Sequence, residues 1–219
     1  MTDNHLPIVL ASCSPRRRDL FRRLGIPAEL ADAGIDERAI PHTSPREFAI
    51  KAAYAKASAV ADRIRHGLVV GVDTIVVLDG RIYGKPDDAA HAVAMLGEVA
   101  GRTHTVISGV ALVEAGKSSL LDAVATDVTI RALTIGEISD YVATGEPLDK
   151  AGSYALQGIG RGIVERIDGD YFNVVGLPVV RLLDMMDNFL DTRPFRSNLP
   201  QLRGAYGADD WNGAHTDAR

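Results

Sequence analysis

The run from Leu68 to Pro86, LVVGVDTIVVLDGRIYGKP, can fold in few ways. Its Val and Ile content predicts a buried strand, and Asp79-Gly80 is a dipeptide favoured in type I′ turns, so an antiparallel strand should return from it. One residue is out of place in such a strand, namely Asp73. A carboxylate taken out of water costs several kcal/mol unless cations, hydrogen-bond donors or a metal compensate it. An Asp at a strand end can simply cap a turn. Asp73 lies in the middle of its run, which favours a functional reading. Lys85, just past the hairpin in Gly84-Lys85-Pro86, is the nearest cation.

Further compensation can be sought upstream. Ile8-Val9-Leu10-Ala11 predicts a short buried strand, after which Ser14 can cap a helix that begins at Pro15 and stops at Gly25, with Leu20 and Leu24 inward. Its N-terminus combines free backbone N–H groups, the positive dipole end and two arginines, which suits a phosphate. Arg18, Arg22 and Arg23 read as a solvated face. Arg16 and Arg17 sit in the first turn, where cations oppose the dipole, and need another explanation. Glu37, in a polar loop, carries no signal alone. Ser44-Pro45-Arg46-Glu47 is a capping box. On the helix it opens, Phe48, Ala49, Ala52, Ala53, Ala55, Ala59 and Val60 share a face with Lys56 near its centre, while Lys51, Ser58 and Asp62 lie opposite. A lysine so placed either snorkels to the edge or meets a buried anion.

Downstream, a helix is expected over Asp87 to Met95, and paired strands over Arg102 to Val113 and Leu120 to Leu133. Thr134 to Glu137 is a second capping box whose helix ends at Gly145. A polar cluster, Glu146 to Tyr154, precedes Gln157 and the glycine-rich Gly158 to Gly162. The latter is no dinucleotide loop, because Ile163 to Ile167 reads as a strand where a helix should begin. A last helix carries Val179, Leu182, Leu183 and Met186. One domain over residues 1–190 is expected, followed by a flexible tail over 191–219 that only Phe195, Tyr206 and Trp211 could anchor. The net charge of −5 argues against an extended nucleic-acid surface. A single cysteine, Cys13, with no signal-peptide pattern and no membrane-length apolar run, points to the cytoplasm.

With LASCSPRR at Leu10 to Arg17, GVDT at Gly71 to Thr74, GKP at Gly84 to Pro86, EPLDKAGSYALQG at Glu146 to Gly158 and NVVGLP at Asn173 to Pro178, the chain resembles the Maf family over roughly residues 7 to 190. The resemblance implies an α/β fold shared with inosine-triphosphate-cleaving enzymes, in which helices flank a mixed, twisted sheet beside a substrate cleft. It implies a nucleoside triphosphate pyrophosphatase that cuts between the α and β phosphates with Mg²⁺ or Mn²⁺. Carried over by position, Asp73 is the proton acceptor and Glu37, Lys56 and Lys85 are further catalytic residues. Glu37 and Asp73 hold the metal, while Ser12, Arg16, Arg17, Thr74 and Gln157 bind or select the substrate. The combination of Arg16, Thr74 and Gln157 resembles the group acting on dTTP and UTP; a group acting on 7-methyl-GTP has an aromatic residue, Gln and Glu there. The partner implied is the nucleotide itself, with no membrane and room for a homodimer. The rival readings are a 7-methyl-GTP or inosine-triphosphate-type pyrophosphatase, or a nucleotide-binding regulator of cell division with little turnover.

Overall fold

The β-branched runs become one seven-stranded mixed sheet in a computed structural model that describes residues 6–212. The strands are β1 (Ile8–Ala11), β2 (Ala28–Leu30), β3 (Leu68–Leu78), β4 (Arg81–Tyr83), β5 (Thr103–Glu114), β6 (Ser119–Ile130) and β7 (Val164–Asp168). Their order is β2-β1-β3-β5-β6-β7, with β4 hydrogen-bonded to β3. Only the β1 pairings with β2 and β3 are parallel. The β3–β4 connection is the expected two-residue turn, with Asp79 and Gly80 both at positive φ, 51° and 79°.

One consequence of this pairing defines the site. Along one edge of β3, β1 pairs as far as Gly71 and β4 begins at Val76. Residues 72–75 therefore face no strand on that edge, although β5 pairs them on the other. The chain leaves the sheet at both sides of this gap, after Ala11 and after Tyr83, and such divergence points are where open α/β sheets form ligand crevices.

The helices are α1 (Pro15–Leu24), α2 (Pro45–Ala61), α3 (Ala89–Val99), α4 (Ile135–Ala143), α5 (Tyr171–Val175), α6 (Val179–Met186), α7 (Arg193–Arg196), α8 (Leu199–Tyr206) and α9 (Asp209–Asn212). Helix α1 ends at Gly25, whose φ of 72° is the left-handed stop that glycine tolerates best. The α4 capping box forms in full. Val70, Val72, Val110 and Leu112 contribute to the main core with Leu20, Phe21, Leu24, Leu96 and Leu182, whereas Val69, Ala111, Ile75 and Ile107 pack on the α2 side. This is the two-residue alternation of a strand buried on both faces.

Two expectations are corrected. The inward face of α2 is Ala49, Ala52, Ala53, Ala57, Val60 and Ala61, so it is rotated from the face expected, and Ala55 and Ala59 are half-buried. The cause is backbone proximity: a Cβ on Gly71 would lie 2.1 Å from the Ala53 carbonyl oxygen, and one on Gly109 would lie 2.0 Å from that of Ala49. The second correction concerns the flexible tail expected from Asp191. Residues 193–212 form α7, α8 and α9, with Leu202 and Ala208 buried and Phe195, Leu199, Tyr206 and Trp211 packed on the main core. Sparse anchors suffice because they act with polar ties: Asn198 donates to the Leu24 carbonyl at 2.9 Å, and Tyr171 to that of Tyr206 at 3.0 Å. Residues 213–219 of that expected tail lie outside the described ones. Among the described residues no helix is long and apolar enough to cross a membrane.

Candidate active site

Asp73 lies on the uncovered stretch of β3 and points to the α2 face, while its neighbour Thr74 points to the opposite one. On the α2 face, the Lys56 Nζ is 2.7 Å from Asp73 Oδ1 and 2.6 Å from Glu37 Oε1. Lys56 flanks the inward face of its helix, and its stem is covered while the ammonium meets both carboxylates. Glu37 opens a 3₁₀ turn and is the exposed member of the trio, at 43% against 6% for the Asp73 side chain. Asp73 Oδ2 is buried and makes no hydrogen bond among the described residues.

On the other face, Thr74 Oγ1 shares a hydrogen bond with Ser108 Oγ at 2.8 Å and accepts one from Arg17 at 3.0 Å. Arg17 also donates to the Gly176 carbonyl at 2.8 Å and to Ser12 Oγ at 3.2 Å. Burial lowers the Arg17 pKa, and the Asp73 charge opposes that shift. Arg17 is thus drawn inward, whereas Arg22 and Arg23 pair with Asp19. Ser14 occupies the N-cap position of α1 without the side-chain hydrogen bond expected of it. Its backbone N–H instead donates to Ser12 Oγ at 3.2 Å.

These side chains line two adjoining cavities. One, of about 450 Å³, is bounded by Ser12, Arg16, Arg17, Glu37, Lys56 and Lys85, with Lys85 exposed at its rim. The other, of about 350 Å³, is lined by Thr74, Val76, Val106, Leu156 and Gln157 and shares Ser14, Arg16 and Arg17 with the first. Eight of the nine site residues expected therefore line one or other cavity, and Asp73 lies behind Lys56. Arg16 lies 3.8 Å from Asp149.

Several residues were missed. Lys150 and Glu146 line the second cavity. Glu146 accepts from the Tyr141 hydroxyl at 2.9 Å and from the backbone N–H groups of Ile159 and Gly160 at 3.0 and 2.8 Å, which pins the loop after Gln157. The Tyr141 hydroxyl accepts in turn from the Ala155 N–H at 3.0 Å. The sequence signals for Glu146 and Lys150 are the density of polar residues between Glu146 and Tyr154 and their place in the motif EPLDKAGSYALQG.

Glu37 and Asp73 offer the oxygen donors a hard divalent cation requires. The unpartnered Oδ2 of Asp73 fits such an ion, and two carboxylates suffice for Mg²⁺ when phosphate oxygens and waters complete its shell. No cluster of three or more His, Cys, Asp or Glu ligands occurs among the described residues. An all-protein cage is therefore not what this geometry provides.

Comparison with known proteins agrees with the motif resemblance. The model of the family described as Maf-like protein matches residues 7–189. A dTTP/UTP pyrophosphatase of Moorella thermoacetica is 50% identical over 184 residues, covering 83% of this chain and 94% of that protein. One of Gloeobacter violaceus is 47% identical over 188 residues, covering 86% and 98%. A solved HAM1 protein from Coxiella burnetii aligns with a TM-score of 0.43 and 15% identity, covering 93% of this chain and all of that one.

Proposed function

The chain belongs to the Maf family, and from that premise we propose that it hydrolyses dTTP and UTP to the nucleoside monophosphate and pyrophosphate. The observation that carries this reading is the pair of adjoining cavities joined at Arg16 and Arg17, one rich in charge and the other largely apolar with a single side-chain amide, Gln157. A nucleoside triphosphate has that division, a polyanion attached to a base.

The triphosphate lies in the charged cavity, where Lys56, Lys85, Arg16 and Arg17 offset its negative charge as electrons move to the leaving pyrophosphate. Asp73 accepts the proton of the water that attacks the α phosphorus. Lys56 holds Oδ1 and so fixes the carboxylate plane. Glu37 and Asp73 would hold a divalent cation, which when bound polarises phosphoryl oxygens and orients the phosphates. In the second cavity the Gln157 amide offers both a donor and an acceptor, matching the adjacent N–H and C=O of a uracil or thymine edge. A carboxylate there would only accept, and would repel pyrimidine carbonyls.

The test is pyrophosphate release across a nucleotide panel with Mg²⁺ or Mn²⁺. We expect dTTP and UTP to be cleaved best and purine triphosphates poorly, and Gln157→Glu to lower dTTP cleavage more than any guanine-nucleotide activity. A wild-type preference for 7-methyl-GTP, or equal efficiency on all nucleotides, would refute the assignment of the base.

A further inference from the structure

The family match ends at residue 189, yet α8 lines a cavity that shares Arg16 and Gln157 with the one assigned to the base. A third cavity, of about 300 Å³, is lined by Arg16, Asp19, Arg23, Gln157, Ala205 and Tyr206. We infer that Tyr206, held by Asp19, is a positioning residue that fixes the orientation of the Gln157 amide and thereby separates thymine and uracil from cytosine. This inference rests on the proposal that Gln157 reads a pyrimidine edge.

Donor and acceptor capacity carries the argument. Asp19 sits among Arg22, Arg23 and the Tyr206 hydroxyl, and although burial would raise its pKa, the hydrogen bonds from these three groups hold it well below the carboxylate range. Asp19 is therefore an acceptor only, and the Tyr206 hydroxyl donates its one proton to Asp19 Oδ2 at 2.7 Å. What remains on the Tyr206 oxygen is a lone pair. Gln157 lines the same cavity as that oxygen, and the partner its side chain can present to it is the amide N–H. Its Oε1 and second N–H are then turned to the cavity in one order, which suits an N–H beside a carbonyl. Cytosine offers an acceptor beside an N–H and requires the flipped amide. Flipping would set Oε1 against the Tyr206 oxygen, two acceptors with no proton between them.

The ring of Tyr206 is itself fixed. It packs edge-on to Phe172 with centroids 5.7 Å apart and lies under the Arg23 guanidinium at 5.4 Å. Tyr206→Phe keeps both contacts and removes only the hydroxyl.

The experiment compares kcat/KM for dTTP, UTP and dCTP in the wild type, Tyr206→Phe and Asp19→Asn. One hydrogen bond corresponds to a change of about fivefold, so the dTTP to dCTP ratio should fall about fivefold in Tyr206→Phe and in the same direction in Asp19→Asn. A fall in both substrates at a constant ratio would make α8 a prop and overturn the inference. Failure of the wild type to cleave dTTP would instead sink the functional reading beneath it. A readout without nucleotide is hydrogen exchange of the Gln157 side-chain amide, where one proton should lose about fivefold protection in Tyr206→Phe. Unchanged exchange would refute the hydrogen bond directly.

Discussion

Replacing Lys56 by Met should separate stability from catalysis. The ammonium is the cation nearest Asp73, whose side chain is only 6% exposed and whose second oxygen has no partner among the described residues. Breaking a buried ion pair by removing one member costs about 3–5 kcal/mol. The exposed Glu37 and the open cavity admit water, so we expect the lower end, about 3 kcal/mol. For a chain of this size that corresponds to a fall in Tm of roughly 6–12 °C. Asp73→Asn removes the charge instead of its partner, leaves Lys56 paired with Glu37, and should change stability by less than about 1 kcal/mol while abolishing turnover. The double variant then has no buried charge to compensate. It should be about as stable as Asp73→Asn, a coupling on the order of 2–3 kcal/mol, and remain inactive. Lys51→Met serves as the control, because Lys51 pairs with Glu47 at 2.7 Å and the Pro41 carbonyl at 3.0 Å, outside both cavities. Urea denaturation of the wild type and the four variants, with pyrophosphate release measured alongside, checks the cycle. Additive losses of stability, or a Lys51→Met variant that behaves like Lys56→Met, would refute the claim that Lys56 compensates Asp73.

Truncation after Asp191 should lower Tm by several degrees, because it exposes the core beneath Leu202 and Ala208 and removes the hydrogen bonds of Asn198 and Tyr206; an unchanged melting curve would show that α7 to α9 do not dock in solution. Acid should expose a second buried group. His104 is 2% exposed, its Nε2 is 2.7 Å from the Tyr154 hydroxyl, and burial lowers its pKa from 6.5 to about 4. A lowered histidine pKa means that the unfolded chain binds more protons between those values, so stability is full above pH 6.5 and falls as pH drops to about 4, by about 3 kcal/mol. His104→Gln should flatten that slope in denaturation curves taken at several pH values, and equal slopes in both proteins would show that other groups cause it.

Local rules were legible where local chemistry decides the outcome. The Asp79-Gly80 turn, the Gly25 stop and the Thr134 capping box occur where expected, because each depends on backbone angles or contacts within a few residues. Asp73 stood out because a charge in a β-branched run has no cheap local explanation. The orientation of α2 was not legible: a helical wheel weights every alanine alike, whereas the actual face is chosen by where Gly71 and Gly109 let two backbones touch. Arg17 was set apart from Arg18 by its place in the first turn, but its partners were not legible: Thr74 and the Gly176 carbonyl, both distant in the chain, draw it inward. The same holds for Tyr206 and Glu146, whose roles come from partners brought close by the fold. The docked helices were read as a tail because their apolar residues are few, and it is α1 and the core that supply the rest of the interface.

The position of the site follows from strand geometry more than from any one side chain. Asp73 and Thr74 are consecutive, so the pleat sends one to the cluster of Lys56 and Glu37 and the other to Arg17 and the cavity of Gln157. A one-residue slip of β3 would exchange them and set the carboxylate in the largely apolar cavity. Long pairing with β5, from Leu68 to Val77, resists such a slip, because alternate residues are buried on both faces and every one would have to change sides. Under the proposed function, catalytic charge and base recognition thus lie on opposite faces of one strand, with the phosphates passing between them. The passage exists because β1 stops at Gly71 and β4 starts only at Val76. Arg17 spans that passage: it hydrogen-bonds Thr74 on one face and feels the charge of Asp73 from the other. Under the proposed function, a substrate aligned by its base is for that reason also aligned for attack at its α phosphorus.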